Sequence, residues 1–231
     1  MRFTPLALVG GALLLLAGCG SSSSSSENGV ASKSATEIIT AAGRAAEAAS
    51  SVHVVGQESS ASMPITLNLY LEAGKGGHGV ISEKGLSFEV IVLSGTTYIK
   101  GSPAFYKQIA GRAAAQLFQG KWLKAPSSDK ELVQLGSLTD LHKLISATLA
   151  GHGALAKGST LTVNGHKAIG IRDTTKGGTL YVAVSGQPLP VEISKTGSEA
   201  GQIRFEEWNK PVSIQAPAGA IDLSQLEAAA G

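Results

Sequence analysis

Ile65-Thr66-Leu67-Asn68-Leu69-Tyr70-Leu71 alternates apolar and polar side chains without a break. Successive side chains of a strand point to opposite faces. This heptapeptide therefore predicts a strand with Ile65, Leu67, Leu69 and Leu71 on one face and polar residues on the other. The same period returns where Leu86, Phe88, Val90 and Val92 alternate with Ser87, Glu89 and Ile91. Gly74-Lys75-Gly76-Gly77 and Lys84-Gly85 lie between such runs and read as hairpin turns, and Tyr98-Ile99-Lys100 continues the meander. One-faced strands joined by short turns predict an antiparallel sheet.

Working outward, helical signals flank this meander. Ser34-Ala35-Thr36-Glu37 is a capping box that opens an alanine-rich helix to about Ala49. Ser102-Pro103 predicts a cap followed by proline at the first helical position. Phe105, Ile109, Ala113 and Leu117 then recur every four residues up to Gly120. Ser128 and Glu131 form a second capping box. Leu138, Leu141, Leu144, Ile145 and Leu149 mark the stripe of an amphipathic helix closed by Gly151. Strands resume at Thr160, with Asn164-Gly165 as a strong hairpin signal. Leu180 to Val184 and the alternations Leu189/Val191/Ile193 and Ile203/Phe205 follow, and Pro188 and Pro190 suggest an edge or a strand start. No repeat of fixed period occurs. The order helix, strands, helices, strands predicts an α+β fold: a curved antiparallel sheet, a half-open barrel, with helices packed over its concave face.

The N-terminus predicts a destination. Arg2 and the apolar run Leu6–Ala17 make a targeting segment that is too short to span a bilayer as a mature helix. It ends in Leu16-Ala17-Gly18-Cys19, which resembles a bacterial lipobox: residues 1–18 are the lipoprotein signal peptide, cleavage falls between Gly18 and Cys19, and Cys19 carries the lipid. A buried cysteine behind a simple secretory signal is the alternative. Ser21–Ser26 with Glu27, Asn28 and Gly29 have little to bury, so residues 20–33 read as a Ser-rich flexible linker of about 20 Å root-mean-square reach. Residues 34–231 then form a single domain. Removing Arg2 leaves 18 basic against 17 acidic residues, so the expected membrane anchor is the acyl chain and not charge. The expected location is the cell membrane, on the extracytoplasmic face of a bacterial envelope.

Composition narrows the chemistry. The chain has 231 residues, 43% hydrophobic, 16% charged and 5% aromatic, with 29 glycines and one cysteine. One cysteine excludes a disulfide framework and a thiolate zinc site. A net charge of +2 gives no drive toward nucleic acid. The histidines, His53, His78, His142, His152 and His166, include no pair at helical spacing, so no metal site is expected. No nucleophile elbow occurs, and Gly74-Lys75-Gly76-Gly77 lacks phosphate-loop spacing. Glu206 and Glu207 are neighbours that a strand would point to opposite faces. No catalytic residue and no cofactor is expected. Lys121-Trp122-Leu123-Lys124 is compatible with a packed tryptophan or with an interfacial contact to lipid head groups.

Taken together, the lipobox at Cys19, the run Thr97-Tyr98-Ile99-Lys100, the helical insert, and Gln202-Ile203-Arg204-Phe205 with Trp208-Asn209-Lys210-Pro211-Val212 resemble the actinobacterial envelope lipoproteins LppX, LprG, LprA and LprF, a LolA-like family. The resemblance spans most of residues 34–226, on diffuse motifs. It implies an unclosed barrel with a hydrophobic cavity that holds acylated lipids. It also implies binding and transfer of an acylated lipid or lipoglycan across the envelope, with an envelope transporter as a partner the family admits. It assigns no individual binding residue.

The residues themselves offer candidates. Leu67, Leu69, Phe88, Val90 and Val92 on the sheet, facing Ile109, Leu141, Ile145 and Leu149 on helices, are the expected cavity lining. The competing reading is that the same side chains fill a core, as any α+β domain requires. An envelope interaction or sensor lipoprotein with a filled core and no lipid ligand is the corresponding alternative function.

Overall fold

The computed structural model describes residues 26–60, 63–125, 138–197 and 199–230. Gly18 and Cys19, the signal segment and the Ser128/Glu131 capping box lie outside the described residues. Strands β1 (Ser51–Ser60), β2 (Met63–Glu72), β3 (Gly76–Glu83), β4 (Leu86–Leu93) and β5 (Thr96–Gly101) form the expected meander, extended by the short β6 (Leu123–Lys124). A second meander contains β7 (Leu155–Val163), β8 (His166–Asp173), β9 (Thr179–Ala183), β10 (Pro190–Lys195) and β11 (Glu199–Glu206). Two-residue turns at Lys84-Gly85, Ser94-Gly95 and Asn164-Gly165 have φ between 48° and 80° throughout. Positive φ at both positions matches the right-handed twist of the flanking strands.

Pairing of β1 with β11 joins the two meanders, from His53↔Glu206 to Ser60↔Glu199. The result is one twelve-stranded sheet in the order β12-β6-β5-β4-β3-β2-β1-β11-β10-β9-β8-β7, where β12 is Ile221–Asp222. The sheet does not close into a barrel. All pairings are antiparallel except β12 with β6. Pro190 starts a strand, as expected, but β10 lies inside the sheet and not at its edge. A register shift between Pro190 and Glu192 accommodates the missing amide.

The Trp208-Asn209-Lys210 stretch fastens the join. Trp208 Nε1 donates to Pro190 O at 2.9 Å, the Asn209 amide donates to Ser51 O at 3.0 Å, and Asn209 Oδ1 accepts from the Ser50 amide at 2.8 Å. The two Asn209 bonds hold the end of β11 to the start of β1, and the Trp208 bond holds it to the start of β10.

Helix α1 (Ala35–Glu47) starts with the predicted capping box: Ser34 Oγ accepts from the Glu37 amide and the Glu37 carboxylate accepts from the Ser34 amide. Its Ile38 and Ala42 pack with Val30, Ile169, Ile171, Leu180, Val182 and Val184 into one core cluster. Helix α3 (Leu141–Ala150) lies over the other half of the same face. There Leu141 and Ile145 join Val52, Val54, Leu69, Leu71, Val90 and Val92 in a second cluster. Leu149 and Ile193 flank both clusters. Asp140 caps α3 by accepting from the Lys143 amide at 3.1 Å, so Leu138 precedes the helix instead of belonging to its stripe. Helix α4 (Leu223–Ala230) ends the described chain. No helix among the described residues is long and apolar enough to cross a membrane.

Two expectations are corrected. Residues 27–33, read as linker, pack on the domain: Asn28 Nδ2 donates to Ala183 O and Gly186 O, both at 3.1 Å, and Val30 is buried. A short polar stretch reads as linker because its hydrogen-bond partners lie more than 150 residues away. The second correction concerns α2 (Pro103–Phe118), which Ser102 caps as predicted. Gly111, at φ 83° and ψ 179°, breaks its helical phase, a backbone region open essentially to glycine alone. The expected stripe therefore does not form. Tyr106 is buried instead, with its hydroxyl accepting from the Gly101 amide at 2.8 Å, while Ile109 is 61% exposed.

Candidate functional site

The inner face of the sheet, the one the helices cover, is built from transverse rows of paired residues. One row runs Ile171, Leu180, Ile193, Ile203, Gly56, Leu67, Ile81, Phe88 and Gly101, crossing nine strands from β8 to β5. The next row, toward the start of β1, includes Phe205, Val54, Leu69 and Val90. Those four are buried together with Ile145 and Leu141. In the first row, Ile193, Ile203, Leu67 and Phe88 are only half-buried.

Gly56 is the gap in this apolar row. A pocket of about 220 Å³ lies there, lined by Ile65, Leu67, Ile203, Ile193 and Lys195 among others. A second of about 190 Å³ is lined by Ile39 of α1, Leu149 of α3, and Leu155, Ile171, Leu180, Ile193 and Lys195. The two share Ile193 and Lys195. Together they mark a largely apolar groove near the seam between the two core clusters, with α1 and α3 bordering the second pocket and strands alone lining the first. At its end Asp173 ties the 151–153 turn to the sheet, accepting from the amides of Gly153, Thr175 and Lys176 at 2.7 to 2.8 Å. These bonds, with that from Lys176 first, hold its carboxyl below the usual carboxylate range.

Of the expected lining residues, Leu69, Val90, Val92, Leu141 and Ile145 are buried in one core cluster, and Leu67, Phe88 and Leu149 pack at its margin. Only Leu67 and Leu149 line the groove. Ile109 points to solvent. Sequence reasoning passed over Gly56, although Val52 and Val54 precede it in phase. A glycine on the inner phase of a strand leaves a space where its neighbours place side chains.

A larger pocket of about 410 Å³ sits on the opposite face of β1, β2 and β11, among Val55, Gln57, Thr66, Asn68, Gln202 and Arg204. Val80, Gly56 and Leu67 complete a lining that mixes polar and apolar groups about equally. Beside it His53, Tyr70 and His78 stack, with ring centroids 4.0 and 5.3 Å apart. His53 Nε2 lies 2.8 Å from Asn68 Oδ1, and burial pushes the His78 imidazole below its ordinary pKa. No group of metal-ligating side chains occurs among the described residues.

No protein-family model and no curated protein sequence matches the chain. Its structure is similar to those of two mycobacterial lipoproteins. LprF from Mycobacterium bovis superposes with a TM-score of 0.58 at 15% identity, over 80% of this chain and 97% of that one. LppX from Mycobacterium tuberculosis superposes with a TM-score of 0.50 at 18% identity, over 78% of this chain and 98% of that one. The open sheet with helices on one face is thus the fold of the LppX- and LprF-type lipoproteins.

Proposed function

We propose that this chain is a lipid-anchored envelope lipoprotein that holds the acyl chains of a lipid or lipoglycan in the inner groove, for transport or presentation and without turnover. The observation that carries the reading is the gap at Gly56 in an otherwise apolar row, continued by the groove to Leu149 and Ile171. Each methylene moved from water into such a groove contributes about 0.8 kcal/mol. Several methylenes therefore offset the cost of ordering a chain. The lipobox at Cys19 supplies the anchor in this reading, and an envelope transporter is the partner class that would load or unload the ligand. The fold shared with two lipoproteins supports it.

A second reading has its own observation. Val90, Val92, Leu141 and Ile145 are buried together in one core cluster, so these expected lining residues serve as packing among the described residues. An interaction or sensor lipoprotein needs no more than that.

Native mass spectrometry of residues 20–231, which contain both core clusters, separates the two. A stoichiometric lipid mass supports the groove reading and names the ligand class on extraction. Protein that stays bare after incubation with host envelope lipids favours the sensor reading. Replacing Cys19 by alanine in the full chain should release the protein from membranes.

A further inference from the structure

From Val90 to Ser128 the sequence has five basic residues and no acidic one. Two of the five are neutralised from elsewhere: Lys100 pairs with Glu89 at 2.6 Å and Lys124 with Asp222 at 2.8 Å. Lys107, Arg112 and Lys121 are exposed and make no ion pair among the described residues. Interleaved with them are Ile109 and Leu117, 61% and 57% exposed, the two most exposed large apolar side chains of the described chain. Trp122 follows, half-buried, with Lys100 Nζ 5.0 Å from its ring centroid.

Single exposed aliphatic residues are ordinary. Two on one broken helix, among three cations that make no ion pair with a described residue, make a different surface. The combination joins apolar insertion to attraction for anionic head groups, and tryptophan and lysine favour the boundary between lipid and water.

Position adds to composition. The transverse row that contains Gly56 ends at Gly101, where a Cβ would run into the Phe105 ring of α2. Gly101 is four strands from Gly56, about 19 Å at ~4.8 Å per strand. Glu27, in contrast, bridges Ser185 just past the end of β9, at the opposite strand ends from Gly101. The place where the N-terminal segment leaves the domain therefore does not account for this patch.

We infer that α2 and the Lys121-Trp122 turn after it dock on an anionic phospholipid surface, which brings the Phe105 end of the inner row to the bilayer. The inference uses neither the groove's contents nor the acyl anchor.

Residues 20–231, free of signal and thiol, are sedimented with vesicles of phosphatidylglycerol and phosphatidylcholine in equal parts, and with phosphatidylcholine alone. Binding to the anionic vesicles, at least tenfold weaker on the neutral ones and weakened by salt, is expected. A basic residue near an anionic surface is worth about fivefold (about 1 kcal/mol). The triple variant K107Q/R112Q/K121Q should thus lose on the order of a hundredfold. The pair I109S/L117S, both on the surface, should lose at least tenfold with an unchanged melting temperature. Wild-type chain that sediments with neither vesicle overturns the inference and leaves the face to a protein partner. Equal binding by wild type and variants overturns it as well. Failure of the groove reading shows separately, as the absence of a bound lipid mass in a chain that still sediments.

Discussion

Gly56 on β1 stands opposite Leu67 on β2, and a Cβ built on the glycine would lie 3.5 Å from the leucine's Cβ. That is ordinary van der Waals contact, so the strand tolerates a side chain here. What the side chain would occupy beyond Cβ is the groove. Replacing Gly56 by leucine should leave the fold intact and lower the lipid carried per protein at least tenfold in native mass spectrometry. Full occupancy in a folded G56L chain would remove this groove as the ligand site.

Ile145 and Ile109 separate core from surface. Ile145 is 1% exposed within the Leu69–Val90 cluster, and Ile109 is 61% exposed. Truncating a buried isoleucine removes its transfer energy and leaves a cavity, a cost of about 2–5 kcal/mol. Ile145→Ala should therefore lower the unfolding free energy by that amount in urea titration while bound lipid is retained. Ile109→Ala should change stability by less than about 0.5 kcal/mol. A neutral Ile145→Ala that loses lipid would return the cavity to the sheet face under α3.

Strand faces, three hairpin turns and two helix N-caps were legible because their causes are local. Ser34 and Glu37 are three residues apart, and Lys84-Gly85 needs only its own backbone. What escaped is set by distant partners or by one backbone conformation that spacing does not record. Asn28 reaches Ala183, and α2 loses its stripe because Gly111 breaks phase in a run whose spacing looks helical. The lining residues were half legible for a related reason. Alternation assigns Leu67 and Leu69 to the same face, but the position of α3 buries Leu69 and leaves Leu67 at the margin. No periodicity records which row of a face a helix covers.

Asn209 should be more sensitive than its exposure suggests. It holds φ 61°, and its Oδ1 accepts from the Ser50 amide at 2.8 Å. Left-handed backbone costs an ordinary residue about 1–2 kcal/mol, and a lost hydrogen bond about 1 kcal/mol more. Asn209→Ala should lower unfolding free energy by about 2–3 kcal/mol in urea titration. Asn209→Gly, which relieves the backbone term alone, should recover about half. Equal losses in the two variants would mean that backbone conformation contributes nothing there.

Asp222 supplies a pH test of the β6–β12 corner. The Lys124 ammonium, 2.8 Å from Oδ2, and then Ser224 hold its carboxyl down at about 2. Its ordinary value is 3.8, so the folded state binds the proton more weakly than the unfolded one. Stability from this pair is therefore complete above about pH 4 and is lost as pH falls toward 2. Asp222 Oδ1 also accepts from the Ser224 amide at 3.1 Å at the start of α4. Asparagine caps a helix about as well as aspartate, so Asp222→Asn removes the charge and keeps the cap. The melting temperature of D222N should lie below that of the wild type at pH 7, with the gap narrowing below pH 4 and closing near pH 2. It should also narrow in high salt, because both side chains are partly exposed and their attraction is screened. A gap that is the same at pH 7 and pH 2 would assign the loss to the cap or to packing, and not to the ion pair.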